Sequence, residues 1–227
     1  MKKIIGLVAC LFVGSANAGF IEHIKNGDFE TGSFSKWNVG NNVVNTGTGD
    51  WSINNGTLNT GYGFGVDPLI QLSPSISGAY DAVTTRGDGT AGFHILYQDI
   101  TLPSSFGAAV LSWDDWISSD ADYSDPDREW RVLIEGLTFS LSSEVFSTAP
   151  GPAESLGLQS RSFDVTSLLT PFANQSIRIS FEHQDSNGNL SVGLDNVSFI
   201  TVPEPASLAL LGLGLVGIGF SRRKKAA

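Results

Sequence analysis

Carboxylates are the side chains in this sequence with the widest chemical use. A nucleophilic triad needs Ser or Cys beside a base, but the chain has no Gly-x-Ser-x-Gly turn and only three histidines, His23, His94 and His183. The histidines lack zinc-type spacing, and His94 and His183 fall in strand-like segments, so we expect them to be structural. Paired carboxylates could hydrolyse a glycoside, and a glycan hydrolase therefore stays an alternative. The candidates are Asp114, Asp115, Glu129 and Glu135.

A second group of acids lies between the strand-like segments around residues 117 and 130. It lacks the glycine and the spacing of an EF-hand loop. Two interpretations stay open, a solvated hairpin loop and a cation site. The group consists of Asp120, Asp122, Asp125, Asp127 and Glu129.

The charge balance restricts the partners. Between Gly19 and Val202 there are 7 Lys and Arg against 22 Asp and Glu, a net charge of −15. Such a surface argues against nucleic acid and anionic lipid, and it is compatible with divalent cations and neutral glycans. Cys10 is the only cysteine, so the rest of the chain contains no disulfide.

The N-terminus has the charged, apolar and small-residue parts of a secretory signal. Residues 1–18 form this predicted signal peptide, with cleavage after Ala18. The segment Leu7-Val8-Ala9-Cys10 resembles a lipoprotein box and is the alternative. Residues 19–201 then form one domain, which is large enough to bury a substantial core.

Residues 19–201 are typical of an all-β domain. Segments of alternating or β-branched character recur between Gly, Asn, Asp, Ser and Pro, and residues 166–172 alone suggest a helical turn. This pattern predicts a jelly-roll β-sandwich. The clearest strands are 93–102, 109–117, 130–135, 176–183 and 191–201. The weaker candidates are 20–30, 69–76, 80–85, 138–146 and 158–165.

Residues 202–227 contain three parts in sequence. The first, Val202-Pro203-Glu204-Pro205, is rigid because each proline fixes φ. The second is an uncharged apolar run from Ala206 to Phe220, predicted as a single hydrophobic helix; its fifteen residues rise about 22 Å, less than the roughly 30 Å hydrocarbon core. With snorkelling cations, residues 206–221 could cross a thin bilayer, although a buried helix of a soluble domain is the alternative. The third part is the basic cluster Arg222, Arg223, Lys224 and Lys225.

This tail resembles the PEP-CTERM sorting signal in its Pro203-Glu204-Pro205 motif, its Gly/Leu-rich span and its basic end. The resemblance implies an exported protein of a Gram-negative bacterium that makes exopolysaccharide. It further implies that the tail anchors the precursor in the inner membrane until an exosortase, a membrane-embedded transpeptidase, removes it.

The two ends of residues 19–201 carry a second resemblance. The opening Asn26-Gly27-Asp28-Phe29-Glu30, followed by Trp37, and the closing Leu194-Asp195-Asn196-Val197 look like the ends of jelly-roll carbohydrate-binding modules and of the wider galactose-binding-like superfamily. In those modules a structural calcium joins the first and last strands. By position its ligands here are Glu30 and Asp195, and Asp28 would assist from the same strand face. Two solvated carboxylates are the alternative.

Sugar binding uses flat aromatic faces and a few orienting polar groups. Trp113 alternates with Leu111, and Trp130 with Val132, which predicts that both tryptophans lie in the core. Trp116, on the opposite parity, and Tyr123 are the predicted ligand-binding aromatics.

The sequence therefore predicts an exported, non-enzymatic surface or matrix protein that binds or organises exopolysaccharide. A glycan hydrolase and a structural surface protein without glycan affinity are the two alternatives.

Overall fold

The computed structural model describes residues 19–41, 51–56, 75–86, 92–119, 128–148, 157–185 and 190–204. These residues form eleven strands, one short α-helix and one turn of 3-10 helix. The strands are β1 (Ile21–Glu22), β2 (Asn38–Asn41), β3 (Ser52–Asn54), β4 (Asp81–Arg86), β5 (Gly92–Thr101), β6 (Ala108–Ser119), β7 (Arg128–Gly136), β8 (Ser142–Ser147), β9 (Gly157–Asp164), β10 (Ser176–Asp185) and β11 (Leu190–Val202). The helix α1 (Thr166–Leu169) and the 3-10 turn (Thr170–Phe172) lie between β9 and β10.

The strands pair into two antiparallel sheets, which confirms the predicted all-β sandwich. Sheet A has the order β3-β4-β11-β6-β9, and β1 also pairs with β11. Sheet B has the order β2-β5-β10-β7-β8. Apart from the β7–β8 hairpin, neighbouring strands in each sheet are distant in sequence, so the sheets form mainly by long-range pairing.

Alternation along the strands produces the core between the sheets. In β6, Leu111, Trp113 and Ile117 are fully or almost fully buried, and in β10 Ile177, Ile179 and Phe181 are fully buried. Phe181 contacts the ring of Trp113 edge-on at 5.6 Å between centroids and stacks on Trp130 at 6.0 Å. Four of the five tryptophans are buried, and these include Trp113 and Trp130, as predicted.

A charged pair is enclosed in this core. Asp115, which is 0% exposed, accepts hydrogen bonds from the indoles of Trp113 at 2.8 Å and Trp130 at 3.1 Å. Its Oδ2 also accepts from Nε of Arg161 at 2.6 Å, and the guanidinium of Arg161 lies 3.9 Å from the ring centroid of Phe146. The cation and the indole donors together stabilise the Oδ2 atom of a carboxylate whose burial would otherwise be costly, while Oδ1 has no hydrogen-bond partner among the described residues. Asp115 therefore has a structural explanation and is not available as half of a catalytic pair.

The histidines are also structural in position. His94 and His183 are opposite each other on β5 and β10, both almost fully buried. Their Nδ1 atoms lie 2.8 and 3.2 Å from the hydroxyl of Thr84 on β4, so the three side chains join the two sheets.

Several predicted strand limits were wrong. The predicted strand 20–30 ends at Glu22, because Asn26 and Phe29 adopt positive φ values of 54° and 52°, which interrupt an extended ladder. Residues 137–141 bend, so β8 starts at Ser142, and the described end of the predicted strand 69–76 is irregular. The helical turn at 166–172 is confirmed.

The opening motif folds as a set of turns against the last strand. The amide of Val197 donates to the carbonyl of Gly27 at 2.9 Å, beside a register shift between Asp195 and Ser198. A Cβ atom on Gly27 would lie 1.9 Å from the carbonyl oxygen of Val197, so only glycine permits this approach.

Gly27→Ala should consequently destabilise the domain by about 2 to 3 kcal/mol, through overpacking against the backbone. Thermal unfolding of the variant should start several degrees lower. Gly40→Ala is the matched control, because no described atom lies within 4 Å of its Cβ position. If the two variants melt together, the contact between Gly27 and Val197 is not a constraint on the fold.

Candidate functional site

The candidate metal residues Glu30 and Asp195 meet at one loop, residues 75–80, which precedes β4. Oε1 of Glu30 accepts the amides of Ala79 at 2.8 Å and Tyr80 at 3.1 Å. Oδ2 of Asp195 accepts the amide of Ser77 at 3.0 Å and its hydroxyl at 2.8 Å. The structure thus brings both predicted carboxylates, from opposite ends of the chain, to the same loop.

A third carboxylate that sequence reasoning missed holds the same loop. Oδ2 of Asp81 accepts the amide of Ile76 at 2.8 Å. Gly78 has a positive φ of 56°, and a Cβ atom there would lie 2.1 Å from Oε1 of Glu30. We call residues 75–80 with Glu30, Asp81 and Asp195 the acid-bound loop.

Asp28 does not belong to the acid-bound loop. Residues 27–31 form turns, so Asp28 and Glu30 share no strand face, contrary to the prediction. Oδ1 of Asp28 instead accepts the amide of Glu30 at 3.3 Å, and Asp28 lines an open groove of about 340 Å³ with Glu22, Asn26 and Asn196. Among the described residues no group of three or more His, Cys, Asp or Glu side chains could hold a metal by itself. Backbone carbonyls or water would have to complete any cation site here.

Burial makes Asp195 an unusual carboxylate. The side chain is 0% exposed, and loss of water raises its pKa to about 6, against the opposing effect of the Ser77 and Asn196 hydrogen bonds. The negative charge of Asp81 adds to the rise, and burial raises the pKa of Asp81 as well. The charged form of Asp195 is therefore disfavoured in the folded protein.

The second candidate surface is the outer face of sheet B. Leu96, Gln98 and Ile100 of β5 are buried, and so Tyr97 and Asp99 project from the opposite face. The same alternation places Arg178, Ser180 and Glu182 of β10 on that face, with Glu129, Arg131 and Glu135 of β7 beside them. Ser180, Glu182 and Glu129 are buried there, whereas Tyr97, Asp99, Arg131, Glu135 and Arg178 are partly or fully exposed. We call these side chains the polar face of sheet B.

Ion pairs fix the geometry of the polar face. Arg178 donates to both oxygens of Asp99, at 2.8 and 3.0 Å, and its guanidinium lies 3.7 Å from the ring centroid of Tyr97. Arg131 donates to Glu182 at 2.8 Å and to Glu129 at 3.2 Å. Burial works against the charge of Arg131, but the hydrogen bond and charge of Glu182 raise its pKa overall. These side chains are held in place before any ligand arrives.

The predicted ligand-binding aromatics lie elsewhere. Trp116 projects from the outer face of sheet A, half-buried and opposite Leu158, which is 56% exposed. Its opposite parity to Trp113 is confirmed, while its role in binding remains a prediction. Tyr123 lies outside the described residues. Sequence reasoning missed Tyr97 and Arg178, although alternation within residues 93–102 placed Tyr97 opposite the core.

The start of the sorting segment is part of the fold. Val202 is the last residue of β11, and Pro203 and Glu204 follow it directly. Pro205, Arg222, Arg223, Lys224, Lys225 and the predicted transmembrane segment 206–221 lie outside the described residues, as does the predicted signal peptide. No helix within the described part of the chain is long and apolar enough to span a membrane.

Comparison with known families identifies the tail. Residues 201–224 match the PEP-CTERM protein-sorting motif, so the chain carries this sorting motif from the end of β11 onward. The motif marks an exported protein that is anchored in a membrane before processing. No curated protein matches the chain.

Solved structures of two kinds, a cyclase and carbohydrate-binding modules, are similar to the sandwich. A Stig cyclase, Fisc from Fischerella sp. TAU, has a TM-score of 0.53 and 15% identity over 82% of this chain and 99% of its own. The carbohydrate-binding module TmCBM61, in complex with beta-1,4-galactotriose, has a TM-score of 0.46 and 14% identity over 79% and 97%. The family 11 carbohydrate-binding module from Clostridium thermocellum has a TM-score of 0.44 and 12% identity, over 81% of this chain and 96% of its own. At these identities the similarity concerns the fold, and a fold shared with a cyclase does not decide between enzyme and binding protein.

Asp195 should give the stability of the domain a characteristic pH dependence. A folded-state pKa raised from 3.8 to about 6 stabilises the fold below pH 4, and this contribution is lost as the pH rises through 6. With a chelator present to exclude bound cations, the free energy of unfolding of Asp195→Asn should exceed that of wild type by on the order of 1 to 3 kcal/mol at pH 7 and should differ little from it at pH 4. Urea unfolding at pH 4 and pH 7 measures this difference in the free energy of unfolding.

Asp164→Asn is the control of opposite sign for this measurement. The hydrogen bonds of Thr166 lower the pKa of Asp164, so its contribution is present at neutral pH and is lost as the pH falls. Equal effects of Asp195→Asn at pH 4 and pH 7 would contradict the assignment.

Proposed function

We propose that this protein is an exported, non-catalytic domain that binds neutral glycans on the polar face of sheet B. The observation that carries the proposal is the fixed arrangement of Tyr97, Arg178 and Asp99 beside Arg131 and Glu182. Carbohydrate hydroxyls are bound by planar, charged donors and acceptors, while an aromatic ring packs against the C–H face of the sugar. The two bonds to Asp99 leave further N–H groups of the Arg178 guanidinium for a ligand.

The charge of the polar face selects the class of glycan. Glu144 of β8 lies next to this face, because it pairs with Leu133 of β7, which alternates with the buried Val132 and Ile134. With it, the five carboxylates of Asp99, Glu129, Glu135, Glu144 and Glu182 exceed the two guanidiniums of Arg131 and Arg178. Burial and the neighbouring charge of Glu129 raise the pKa of Glu144, as expected where acids are in excess. Uronic acids and sulfated sugars would be repelled, whereas neutral hydroxyls could donate to these oxygens.

The sorting motif supports a location outside the cytoplasm for this proposed activity. In the proposed sequence of events the tail holds the exported precursor in the inner membrane, and an exosortase-type transpeptidase then removes it. The domain would afterwards act at the cell surface or outside the cell, where it would bind or organise exopolysaccharide. A structural surface protein without glycan affinity is the competing function.

Binding should be measured by calorimetry with neutral gluco-, galacto- and manno-oligosaccharides and with uronic-acid oligosaccharides of equal length. We expect a neutral panel member to bind and the acidic sugars to bind far more weakly. Arg178→Gln and Glu182→Gln should each weaken binding about tenfold or more, the loss expected for a hydrogen bond to a charged group.

Two further variants locate the site. Trp116→Ala tests the outer face of sheet A, and Asp164→Asn is a surface control on β9. If Trp116→Ala abolishes binding while Arg178→Gln does not, the polar face of sheet B is the wrong surface. If no neutral oligosaccharide binds at millimolar concentration, the competing structural function replaces the proposal.

We also propose that calcium binds at the acid-bound loop and supports the fold. Glu30 and Asp195 supply two hard anionic oxygen donors at residues 75–80, and hard oxygen donors are the ligands that calcium prefers. Among the described residues no Lys or Arg side chain pairs with either carboxylate, so a cation would relieve the repulsion between Asp195 and Asp81. Asp28 has no role in this site.

Calcium at about 100 times its dissociation constant should add roughly 2.7 kcal/mol to the free energy of unfolding, because it binds only the folded state. Thermal melts in millimolar calcium and in chelator measure this increment. Glu30→Gln and Asp195→Asn should remove most of it, and Asp28→Asn should retain it. Coincident wild-type curves would eliminate the site without affecting the glycan proposal.

A further inference from the structure

Both ends of the described chain leave the sandwich at the same end. Ile21 of β1 pairs with Thr201 of β11, and Val202 pairs with Ala108 at the start of β6. The amide of Gly107 donates to the carbonyl of Val202 at 2.7 Å, and Glu204 packs over Gly107. We call this end of the domain, from which the sorting segment emerges, the tail end.

Three of the five exposed large apolar side chains in the described part of the chain lie at the tail end, and Val39 on β2 and Leu158 on β9 lie elsewhere. Phe20 is 71% exposed and Ile21 is 44% exposed, both next to the last residues of β11. Leu137, which is 41% exposed, lies at the same end of sheet B, since its amide donates to Ser176 at the start of β10. Leu158, in contrast, is opposite Trp116, at the other end of sheet A.

The length of the tail leaves little room between this end and a membrane. Three residues lie between Val202 and Ala206, where the apolar run begins, and the four Cα-to-Cα steps span at most about 14 Å. A headgroup layer takes up roughly half of that distance. Because the apolar run itself is shorter than the hydrocarbon core, no slack is available from the membrane side.

We propose that the tail end is a membrane-contact surface, with Phe20, Ile21 and Leu137 seated in the headgroup region of the membrane that holds the tail. This inference rests on the proposed anchoring by residues 206–221. Apolar side chains in the interface lose contact with water, and the tether supplies the high local concentration that a small contact needs. Glu22 does not oppose the contact, because its carboxylate accepts the amides of Ile24 at 2.8 Å and Phe199 at 3.0 Å and the hydroxyl of Ser198.

This contact has a consequence for release. A few apolar side chains give only weak and reversible attachment when they act alone. The domain would therefore be held by two contacts while the tail is present and by one after its removal. Cleavage of the tail would then be sufficient to detach the domain from the bilayer.

Single cysteines can test the proposal, because the precursor from Gly19 to Ala227 contains none of its own. The variants F20C, L137C, L158C and S207C should each be labelled with an environment-sensitive fluorophore and reconstituted into phosphatidylcholine vesicles, with and without nitroxide-labelled lipid. Labels at positions 20, 137 and 207 should show blue-shifted emission and quenching by the lipid nitroxide. The label at position 158 should remain water-like, and unchanged thermal melts should confirm that each variant is folded.

The position-207 label separates the two levels of the inference. If it is quenched while labels at positions 20 and 137 behave like that at position 158, the membrane contact is wrong and the anchor stands. If the position-207 label is not quenched, the anchor fails and the contact fails with it. Quenching at all four positions would show nonspecific adsorption and would also overturn the proposal.

Discussion

Closure of the two chain ends against each other is the constraint on which this structure depends. The last strand, β11, pairs with β4 and β6, and its C-terminal part also pairs with β1. The opening turns fit over it only because Gly27 has no side chain at the carbonyl of Val197. Behind these turns Phe29 stacks on Trp37, and the indole of Trp37 donates to the carbonyl of Asn26 at 2.9 Å. The aromatic side chains of the N-terminal motif therefore complete this part of the core. Without this closure β11, the central strand of sheet A, would lose its pairing with β1.

Two buried carboxylates in this domain are stabilised in different ways. Asp115 lies in the core with a guanidinium and two indole N–H groups, which all donate to its Oδ2, so its donors include a cation. Asp195 has N–H and O–H donors from Ser77 and Asn196, but within the described part of the chain no cation is paired with it. Hydrogen bonds alone do not replace the lost water, and the raised pKa of Asp195 is the result. Because residues 19–202 carry a net charge of −15, a buried carboxylate without a paired cation costs more here than in a protein with equal numbers of acidic and basic residues.

The sequence was sufficient for the strongest strands. Strands β5, β6 and β7 alternate regularly, so hydrophobic period predicts both their existence and which face is buried, as for Trp113 against Trp116, whereas the middle of β10 and the first half of β11 are buried on both faces. The predicted strand limits were wrong where local backbone conformation overrides the hydrophobic pattern, as at Asn26 and Phe29, which have positive φ. The polar face of sheet B was not predictable, because Arg178 and Asp99 are 79 residues apart and meet only through the β5–β10 register. Asp81 was missed at the acid-bound loop for the same reason, since its partner amides belong to a loop without sequence pattern.

The sandwich architecture separates the three proposed activities on three surfaces. The acid-bound loop covers the outer face of sheet A, where the side chain of Ile76 approaches Gly193 and Trp116. The polar residues lie on the outer face of sheet B, and the exposed apolar residues lie at the tail end, where the strands of both sheets terminate. In an anchored domain whose tail end contacts the membrane, the strands of both sheets would run away from the membrane surface. Both outer faces of the sandwich would then remain in water. Glycan binding on sheet B would then be compatible with the anchored precursor as well as with the released domain, and removal of the tail would change where the protein acts without changing what it binds.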